Sequence, residues 1–478
     1  MGFIAKRRQE YDESLKAIVP DCWKQFQDPP LNGEAEIMQL PRLEYEPLVT
    51  VGIMVCHELS VDFDSNFISV QMPECTFHGS YTIKLENGKL RFEGELYDEL
   101  CFNPVDNQDI TAFNGHFTLH DVTIGKEFHW QRQENQSFKG SLRLVADGNK
   151  IQVINDISVE AYLYSVISSE MNAMAPIELL KAHAIISRSW LLKPILDPEQ
   201  TTASVREIVS NDEIVRWYER DAHTLFDVCA DDHCQRYQGI ARASVVTVAQ
   251  AVEETRGVVL SYNGHICDAR FSKACGGVTE LFENCWAATP YPYLSRVVDA
   301  EAVNVPDLTI EANADKWIRG QHSSWCNTTD KEVLRTILND YDCETKDFYR
   351  WSVRYTKTQL TKLIHRKSGI DFGEIRALQP LQRGVSGRII RLKIVGEKRT
   401  MIVGKELEIR RWLSETHLFS SAFVVDFMGD EVVLTGAGWG HGVGLCQIGA
   451  AVMASKGKRY NNILSHYFPK AGLQQIYR

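Results

Sequence analysis

The stretch SVISSEMNAMAPIELLKAHAIISRSWLL, residues 165–192, is a largely apolar run that carries the carboxylate of Glu170. Just before it, Val159, Leu163 and Val166 recur at helical spacing, and Pro176 stands where a second helix would begin. The pattern predicts two consecutive helices. We therefore expect a helical hairpin at this point of the chain.

Glu170 lies four residues after Val166, so a helix places its carboxyl group on the apolar stripe. Burial there would raise its pKa, which suits a general acid that works near neutral pH. A helix-end glutamate that turns back to water is the alternative. Arg188, four residues after Ala184, is a second charged residue on an apolar helix face. A structural ion pair is the simpler interpretation for it.

Upstream of this hairpin the sequence alternates between apolar and polar residues. The segments SYTIKLENGKLRFEGELY (80–97) and GSLRLVADGNKIQVIND (140–156) contain Asn-Gly and Asp-Gly turns, which predict antiparallel hairpins. Downstream, strand-like runs return at four places: ASVVTVAQ (243–250), RGVVLSYNGHICDARFS (256–272), RIIRLKIVG (388–396) and FVVDFMGDEVVLTGAG (423–438).

These patterns predict an α+β protein in which an antiparallel, β-rich N-terminal part feeds a mixed core with a helical hairpin and a charged insert. The expected parts are an extension over 1–45, a β-rich domain over 46–150, the core over 151–300 and 416–478, and the insert over 301–415. A chain of 478 residues is long enough for such a division.

Composition excludes several classes of function. The net charge is -11 and basic residues do not cluster, which disfavours binding to nucleic acid. No apolar run approaches the about 20 residues of a transmembrane span. The first residues, MGFIAKRRQEYDESLKAIVPDCW, have a basic patch without a long apolar run, so no secretory signal is predicted.

A second group of residues lies in HTLFDVCADDHCQRYQG, which contains His223, Cys229, His233 and Cys234. Two imidazoles and two thiols match the ligands of a tetrahedral zinc site, although this spacing is not a common finger pattern. Four protein ligands would fill the metal's coordination shell, so the metal would hold a loop. Packed cysteines beside two solvated histidines are the alternative.

A third group is the glycine motif TGAGWGHGVGLCQIGAAVMASKG, residues 435–457, where glycine occupies every second position from 436 to 444. This spacing permits a tight backbone that approaches another chain segment or a ligand closely. The motif has neither the GKS or GKT ending of a phosphate-binding loop nor the GxGxxG spacing of a dinucleotide-binding site, so it does not support nucleotide binding. His441, Trp439 and Gln447 offer an imidazole, an aromatic face and an amide, a set suited to sugars.

With these motifs, the sequence resembles the SpoIID/LytB domain proteins, the family of sporulation stage II protein D and the amidase enhancers. The resemblance rests on residues 159–192, 226–239, 271–294 and 438–469, in this order along the chain. The chain departs from the family at Leu445-Cys446, where Met-Ser is usual, and at Ser189-Trp190, where Thr-Tyr is usual.

The resemblance implies a peptidoglycan lytic transglycosylase that cuts the β-1,4 bond between N-acetylmuramic acid and N-acetylglucosamine and leaves 1,6-anhydro ends. It implies Glu170 as the general acid and base, on glycan strands stripped of stem peptides. It also implies a structural Zn2+ ion held by the Cys/His residues. The residues expected to orient the sugar are Arg188, His441, Gln447 and Tyr467.

Two other functions stay open at this stage. A non-catalytic activator would bind glycan and stimulate a cell-wall amidase, and a zinc hydrolase would use the Cys/His residues for chemistry. A peptidoglycan substrate would place the protein in the cell envelope or periplasm. No nucleic-acid partner and no transmembrane span are expected.

Overall fold

The computed structural model describes residues 39–105, 115–124, 131–172, 175–197, 206–218, 223–231, 233–240, 246–337 and 348–478. Most of the predicted N-terminal extension therefore lies outside the described residues. The first ten strands are β1 (Leu48–Cys56), β2 (Glu58–Ser69), β3 (Thr76–Glu86), β4 (Lys89–Phe92), β5 (Glu95–Tyr97), β6 (Glu99–Pro104), β7 (His116–Ile124), β8 (Arg132–Lys139), β9 (Ser141–Asp147) and β10 (Lys150–Ser158).

Helices and short strands follow. The helices are α1 (Val159–Glu170), α2 (Ile177–Leu196), α3 (Val246–Glu254), α4 (Glu311–Arg319), α5 (Lys331–Ile337), α6 (Lys357–Ser368), α7 (Glu406–Trp412), α8 (Gln447–Ser455) and α9 (Tyr460–Tyr467). The remaining strands are β11 (Glu207–Val209), β12 (Glu213–Arg216), β13 (Val228–Cys229), β14 (Val258–Tyr262), β15 (His265–Ile266), β16 (Phe271–Ser272), β17 (Arg350–Thr356), β18 (Ile375–Arg383), β19 (Ile389–Gly396), β20 (Thr400–Gly404), β21 (Phe423–Met428), β22 (Glu431–Ala437), β23 (Leu445–Cys446) and β24 (Gly472–Gln475). The predicted α+β class is confirmed.

The predicted hairpins of the N-terminal part are present. Asn87 and Gly88 join β3 to β4 with φ values of 52° and 74°, the left-handed conformations that a two-residue hairpin turn requires. Gly148, with φ of 62°, lies in the turn between β9 and β10. The Asn-Gly and Asp-Gly dipeptides therefore located these turns correctly, because few other residues adopt this backbone conformation.

The N-terminal strands form one large sheet, in the order β13-β1-β10-β9-β6-β2-β3-β4-β5, with β7 on β2 and β8 on β7. Strand β13 comes from later in the chain and runs parallel to β1, with Gly52 opposite Cys229. A Cβ atom on Gly52 would lie 2.4 Å from the ring of Phe226. Glycine at this position lets the Cys/His segment pack directly on the sheet.

The helical hairpin is also confirmed. Ser158 caps α1 by accepting a hydrogen bond from the Ala161 amide, and Pro176 is the N-terminal cap of α2. Most residues of both helices are buried, and their apolar side chains share one core with the N-terminal sheet. Among the described residues, no helix has both the length and the apolar character needed to cross a membrane.

One predicted strand is wrong. In the segment 243–250, residues 243–245 lie outside the described residues, and from Val246 the chain forms helix α3. Its buried side chains are Val248, Ala251 and Val252, a helical spacing. The β-branched residues suggested a strand, but packing against α1 and α2 selected the helix.

Much of the predicted insert shares a second hydrophobic core with residues beyond its predicted end, and this core includes Trp351, Trp412 and Phe423. Strand β22, which lies beyond the predicted end of the insert, pairs with β17 and β21 and continues directly into the glycine motif. Gly438, Gly440, Gly442 and Gly444 have φ values between 72° and 95°, as a tight backbone requires. The unusual backbone predicted from the alternating glycines is present at these four positions.

We predict that Gly444→Ala destabilises the protein more than Gly457→Ala. Both glycines have positive φ, which costs an alanine about 1–2 kcal/mol. A Cβ on Gly444 would also lie 2.1 Å from the Arg270 carbonyl oxygen, whereas Gly457 has nothing within 4 Å. Overpacking should add about 1–3 kcal/mol to the loss for Gly444→Ala, measured by urea unfolding. Equal losses would contradict this account of the motif.

Candidate functional site

The four Cys/His residues converge in the structure. One ligand atom from each of His223, Cys229, His233 and Cys234 lies within 4.8 Å of the others. The Nε2 atom of His223 is 3.4 Å from Cys234 Sγ, and the Nδ1 atom of His233 is 3.5 Å from the same sulfur. Residues that are spread over a short, irregular segment thus form one compact group of soft donors.

The backbone explains why this segment can form such a group. Strand β13 fixes Cys229 beside Gly52, and the Cys234 amide closes a turn by donating to the Asp231 carbonyl at 3.0 Å. The Cys229 amide then donates to Cys234 Sγ at 3.4 Å. Hydrogen bonding to Cys234, and also to His233, lowers the pKa of the Cys229 thiol and so favours its thiolate form.

Directly after Cys234, the chain crosses helix α1 and reaches Glu170. The Arg236 amide donates to Glu170 Oε1 at 3.2 Å. On the preceding turns of α1, Tyr162 donates to the side-chain oxygen of Gln235, and Ser165 accepts from the Gln238 amide, both at 3.2 Å. The Cys/His loop and the carboxylate of Glu170 therefore belong to one hydrogen-bonded unit, which we call the α1 site.

Aromatic packing holds the α1 site rigidly in place. Tyr237 stacks on Tyr162 with ring centroids 5.1 Å apart, and its hydroxyl donates to Asn155 of β10 at 2.6 Å. Both tyrosines are buried, and burial raises the pKa of each. Because both phenols remain neutral, the segment after Cys234 is bound to α1 and to the sheet by neutral hydrogen bonds and ring contacts.

Glu170 itself is the last residue of α1 and is half-buried. It is neither inside the apolar core nor turned away from the protein, since a main-chain amide binds its carboxylate. At this position the carboxyl group is open in part to solvent and is held in a fixed orientation. Both are requirements for a group that exchanges a proton with a substrate.

Arg188 does not reach this site. It has no exposed surface, and its guanidinium forms two hydrogen bonds to the buried Glu160 carboxylate at 2.9 and 2.6 Å. A third bond goes to the Val258 carbonyl. The guanidinium is enclosed in the core, which leaves it no exposed surface with which to contact a glycan. The structural ion pair was the correct interpretation.

Two other expected sugar ligands are internal as well. Gln447 is 3% exposed, and its amide lies 3.1 Å from Nε2 of His183. Tyr467 has no exposed surface and donates to Asp299 at 2.5 Å. Burial lowers the pKa of His183 to about 3, so that imidazole is neutral. Both side chains bind partners inside the core, and neither offers an exposed surface to a sugar.

His441 is half-buried and supports the glycine motif. Its Nδ1 atom accepts a hydrogen bond from the Val443 amide at 3.0 Å, and the Phe271 backbone binds the ring as well. The Trp286 ring lies 5.0 Å away in an edge-on contact. Burial, with the nearby Arg270 guanidinium, lowers the pKa of His441 well below its usual value. The imidazole ring of His441 is therefore neutral, and its hydrogen bond to Val443 stabilises the backbone of the glycine motif.

Sequence reasoning missed several residues. Glu160, the partner of Arg188, lies at the start of α1 and is 28 residues away along the chain. The main-chain amide of Arg236 could not be found from residue types, because any residue supplies an amide. A second group of thiols, around Cys446, was passed over because its members are far apart in sequence. For Glu160, the only indication in the sequence was its helical spacing from Leu163, which places both residues on the same face of α1.

Comparison with known families places this site in context. Residues 147–262 match the Stage II sporulation protein family (SpoIID), and residues 280–444 match a Domain of unknown function (DUF8618). The first match contains the helical hairpin, Glu170 and the four Cys/His residues. The Stage II sporulation protein D of Bacillus subtilis is 23% identical over 66% of this chain and 74% of its own length.

Residues 147–262 therefore form a SpoIID-family region, and the curated relatives point to the same family. The resemblance found in the sequence is thus confirmed. An amidase enhancer of Bacillus subtilis is 25% identical to this chain, over 64% of the chain and 39% of the enhancer. An uncharacterized protein of Brachyspira hyodysenteriae is 26% identical over 85% of the chain and 92% of its own length.

We predict that Arg188→Ala lowers the free energy of unfolding by about 3–5 kcal/mol, because it leaves the Glu160 carboxylate buried without its partner. The control is Arg319→Ala, which removes a half-exposed ion pair with Asp426 and should cost at most about 1 kcal/mol. Chemical denaturation of both variants measures the difference. A fully stable Arg188→Ala protein with impaired glycan binding would restore the sugar-binding role.

Proposed function

We propose that this SpoIID-family protein is a peptidoglycan lytic transglycosylase with Glu170 as its general acid and base. The observation that carries the proposal is the placement of Glu170: a half-buried carboxylate at the end of α1, oriented by the Arg236 amide, inside the region that matches the SpoIID family. The Bacillus subtilis relatives are named for sporulation and for amidase enhancement, which supports a function at the bacterial cell wall.

The proposed reaction needs a single carboxyl group. Protonated Glu170 donates its proton to the glycosidic oxygen, and the bond to N-acetylmuramic acid breaks through an oxocarbenium-like transition state. The resulting carboxylate then accepts the proton of the 6-hydroxyl of the same sugar, and that oxygen bonds to the anomeric carbon. The product has a 1,6-anhydro end, no water is consumed, and Glu170 returns to its protonated form.

We also propose that the four Cys/His residues hold a structural Zn2+ ion. Their donor types fit zinc, and their mutual distances fit a single ion. Four protein ligands leave no coordination position for a water molecule, which argues against the zinc-hydrolase alternative. The ion would supply stability to the segment that follows Cys234, and this segment in turn orients Glu170 through the Arg236 amide.

The proposed substrate is glycan of the cell wall, which lies outside the cytoplasmic membrane. The proposed site of action is therefore the cell envelope. Glycan strands already stripped of stem peptides are the expected substrate, so an amidase that removes those peptides would act before this protein. The relation to the amidase enhancer supports such a link.

That same relation favours one second candidate function, a non-catalytic activator of a cell-wall amidase. A chain with that function would bind glycan and stimulate the amidase without cutting the strand. The carboxylate of Glu170 would then contribute to binding alone. Turnover by the purified protein in the absence of any amidase distinguishes the two functions.

We predict that Glu170→Gln lowers glycan turnover about 100- to 10,000-fold, the usual contribution of general acid-base catalysis, while the fold persists. Released sugars are identified by mass spectrometry, with Glu58→Gln, at the exposed Glu58–Lys84 pair, as the control. The wild-type product should carry 1,6-anhydro ends without oxygen from labelled water. Near-normal turnover by Glu170→Gln would remove this residue as the acid, and labelled oxygen in the product would reject the transglycosylase.

We predict that replacing Cys229 and Cys234 together by Ser removes one zinc equivalent and lowers the melting temperature, because binding free energy at a structural site contributes to folding. Turnover should fall as well, since the segment that orients Glu170 loses its anchor. Cys56→Ser, at another half-buried thiol, is the control. Metal analysis and thermal unfolding measure the effects. Chelation that abolishes turnover without altering stability would instead favour the zinc hydrolase.

A further inference from the structure

A second group of metal-type donors lies away from the α1 site. Ligand atoms from Cys275, Asp299, Cys326 and Cys446 are all within 4.8 Å of one another, and all four residues are buried. We call this group the core cluster. It contains three thiols and one carboxylate, and none of the four belongs to the Cys/His loop.

The four members come from separate parts of the chain. Cys275 follows β16, and Cys446 ends β23, the strand that pairs with β16. Asp299 lies in the loop before α4, and Cys326 lies between α4 and α5. Cys275 and Cys446 are 171 residues apart, so no local spacing in the sequence announces the cluster.

We propose that the core cluster is a second, structural zinc site with Cys275, Cys326, Cys446 and Asp299 as its ligands. A tetrahedral ion with Zn–S bonds of about 2.3 Å requires sulfur atoms about 3.8 Å apart. The Sγ atoms of Cys275 and Cys326 are 3.7 Å apart. A disulfide needs about 2.05 Å, and the ten described cysteines are free thiols.

Hydrogen bonds around the cluster orient the donors as a metal site requires. The Cys275 amide donates to Cys446 Sγ at 3.2 Å, and the Gly277 amide donates to Cys275 Sγ at 3.4 Å. Amide donors of this kind stabilise thiolates, which are the form that binds zinc. The sulfurs are thus held in place by backbone groups as well as by their own side chains.

The carboxylate of Asp299 provides the strongest argument. Within the described ranges its hydrogen-bond donors are the Ser324 hydroxyl, the Cys326 amide and the Tyr467 hydroxyl, all of them neutral. These bonds hold both oxygens in place beside the Cys326 side chain, with which the carboxyl group also interacts. A buried carboxylate is costly unless a charge compensates it, and a bound cation at the cluster would supply that compensation.

Charge around the cluster permits four anionic ligands. The Arg350 guanidinium donates to the Gly276 carbonyl at 3.1 Å and lies close enough to Cys275 and Cys326 to interact with them electrostatically. Its positive charge partly offsets the negative charge of a zinc ion with three thiolates and a carboxylate. The set of four protein ligands is closed, so the site is structural.

The site would add metal bonds between parts of the chain that strand pairing and hydrogen bonds already bring together. Cys446 is the N-terminal cap of α8, and the next residue, Gln447, binds His183 of α2. Cys326 belongs to the long segment between β16 and β17. Zinc at the core cluster would therefore tie this segment to the helical core and fix the end of the glycine motif.

The test begins with the full chain, purified under reducing conditions, loaded with zinc and freed of excess metal. We expect two zinc equivalents in the wild-type protein by elemental mass spectrometry. The variant with Cys229 and Cys234 both replaced by Ser should keep one equivalent, held by the core cluster. That variant leaves the core cluster intact, so the result does not depend on whether a core-cluster variant folds.

Two further variants assign the remaining ion. Cys446→Ser should lose one equivalent and melt at a lower temperature, whereas Cys267→Ser, at a buried thiol outside both groups, should keep two. Cobalt loaded into the Cys229/Cys234 variant should give thiolate-to-metal charge-transfer absorption. This absorption should be stronger than that of Cys446→Ser, because three thiolates rather than two bind the ion.

The outcomes separate the two zinc proposals. One equivalent in the wild type and none in the folded Cys229/Cys234 variant would overturn the core-cluster site. One equivalent in both proteins would support it and would reject zinc at the Cys/His loop. A bridge between Cys275 and Cys326, found in peptides of the zinc-loaded protein, would also overturn the second site.

Discussion

The buried ion pair of Glu160 and Arg188 is the interaction on which the rest of the structure depends. Arg188 of α2 donates two hydrogen bonds to the Glu160 carboxylate of α1, and the Gly257 amide and the Tyr477 hydroxyl donate to the same group. Both charged side chains are excluded from solvent. Because neither charge can be left alone there, the pair fixes α1, α2, β14 and the end of the chain relative to one another.

The ion pair fixes the start of α1, and the Cys/His loop fixes the opposite end of the helix, where Glu170 lies. The loop is irregular and would have little stability by itself, but Tyr237 and the Arg236 amide bind it to α1. Strand β13 adds it to the large sheet beside Gly52. A carboxylate at a helix end, which is ordinarily mobile, thus acquires a defined orientation, as proton transfer to a substrate requires.

Polar residues in a motif can serve the fold as well as a substrate, and here several serve the fold. Gln447 and Tyr467 occupy conspicuous places near the glycine motif, yet they bind His183 and Asp299 inside the core. Their residue types suit a sugar equally well, so type and spacing alone did not distinguish the two uses. Burial distinguishes them, and burial depends on which segments pack on each side.

The sequence by itself determined the features that depend on neighbouring residues. The Asn87-Gly88 turn follows from backbone preference, the helical hairpin from apolar spacing, and the Cys/His group from ligands that lie within one short segment. Only the tertiary structure decided that Arg188 is internal and that Cys275 and Cys446 lie beside Asp299. These contacts join separate segments through strand pairing and helix packing. No local pattern encodes a partner 28 residues away, as for Arg188, or 171 residues away, as for Cys275 and Cys446.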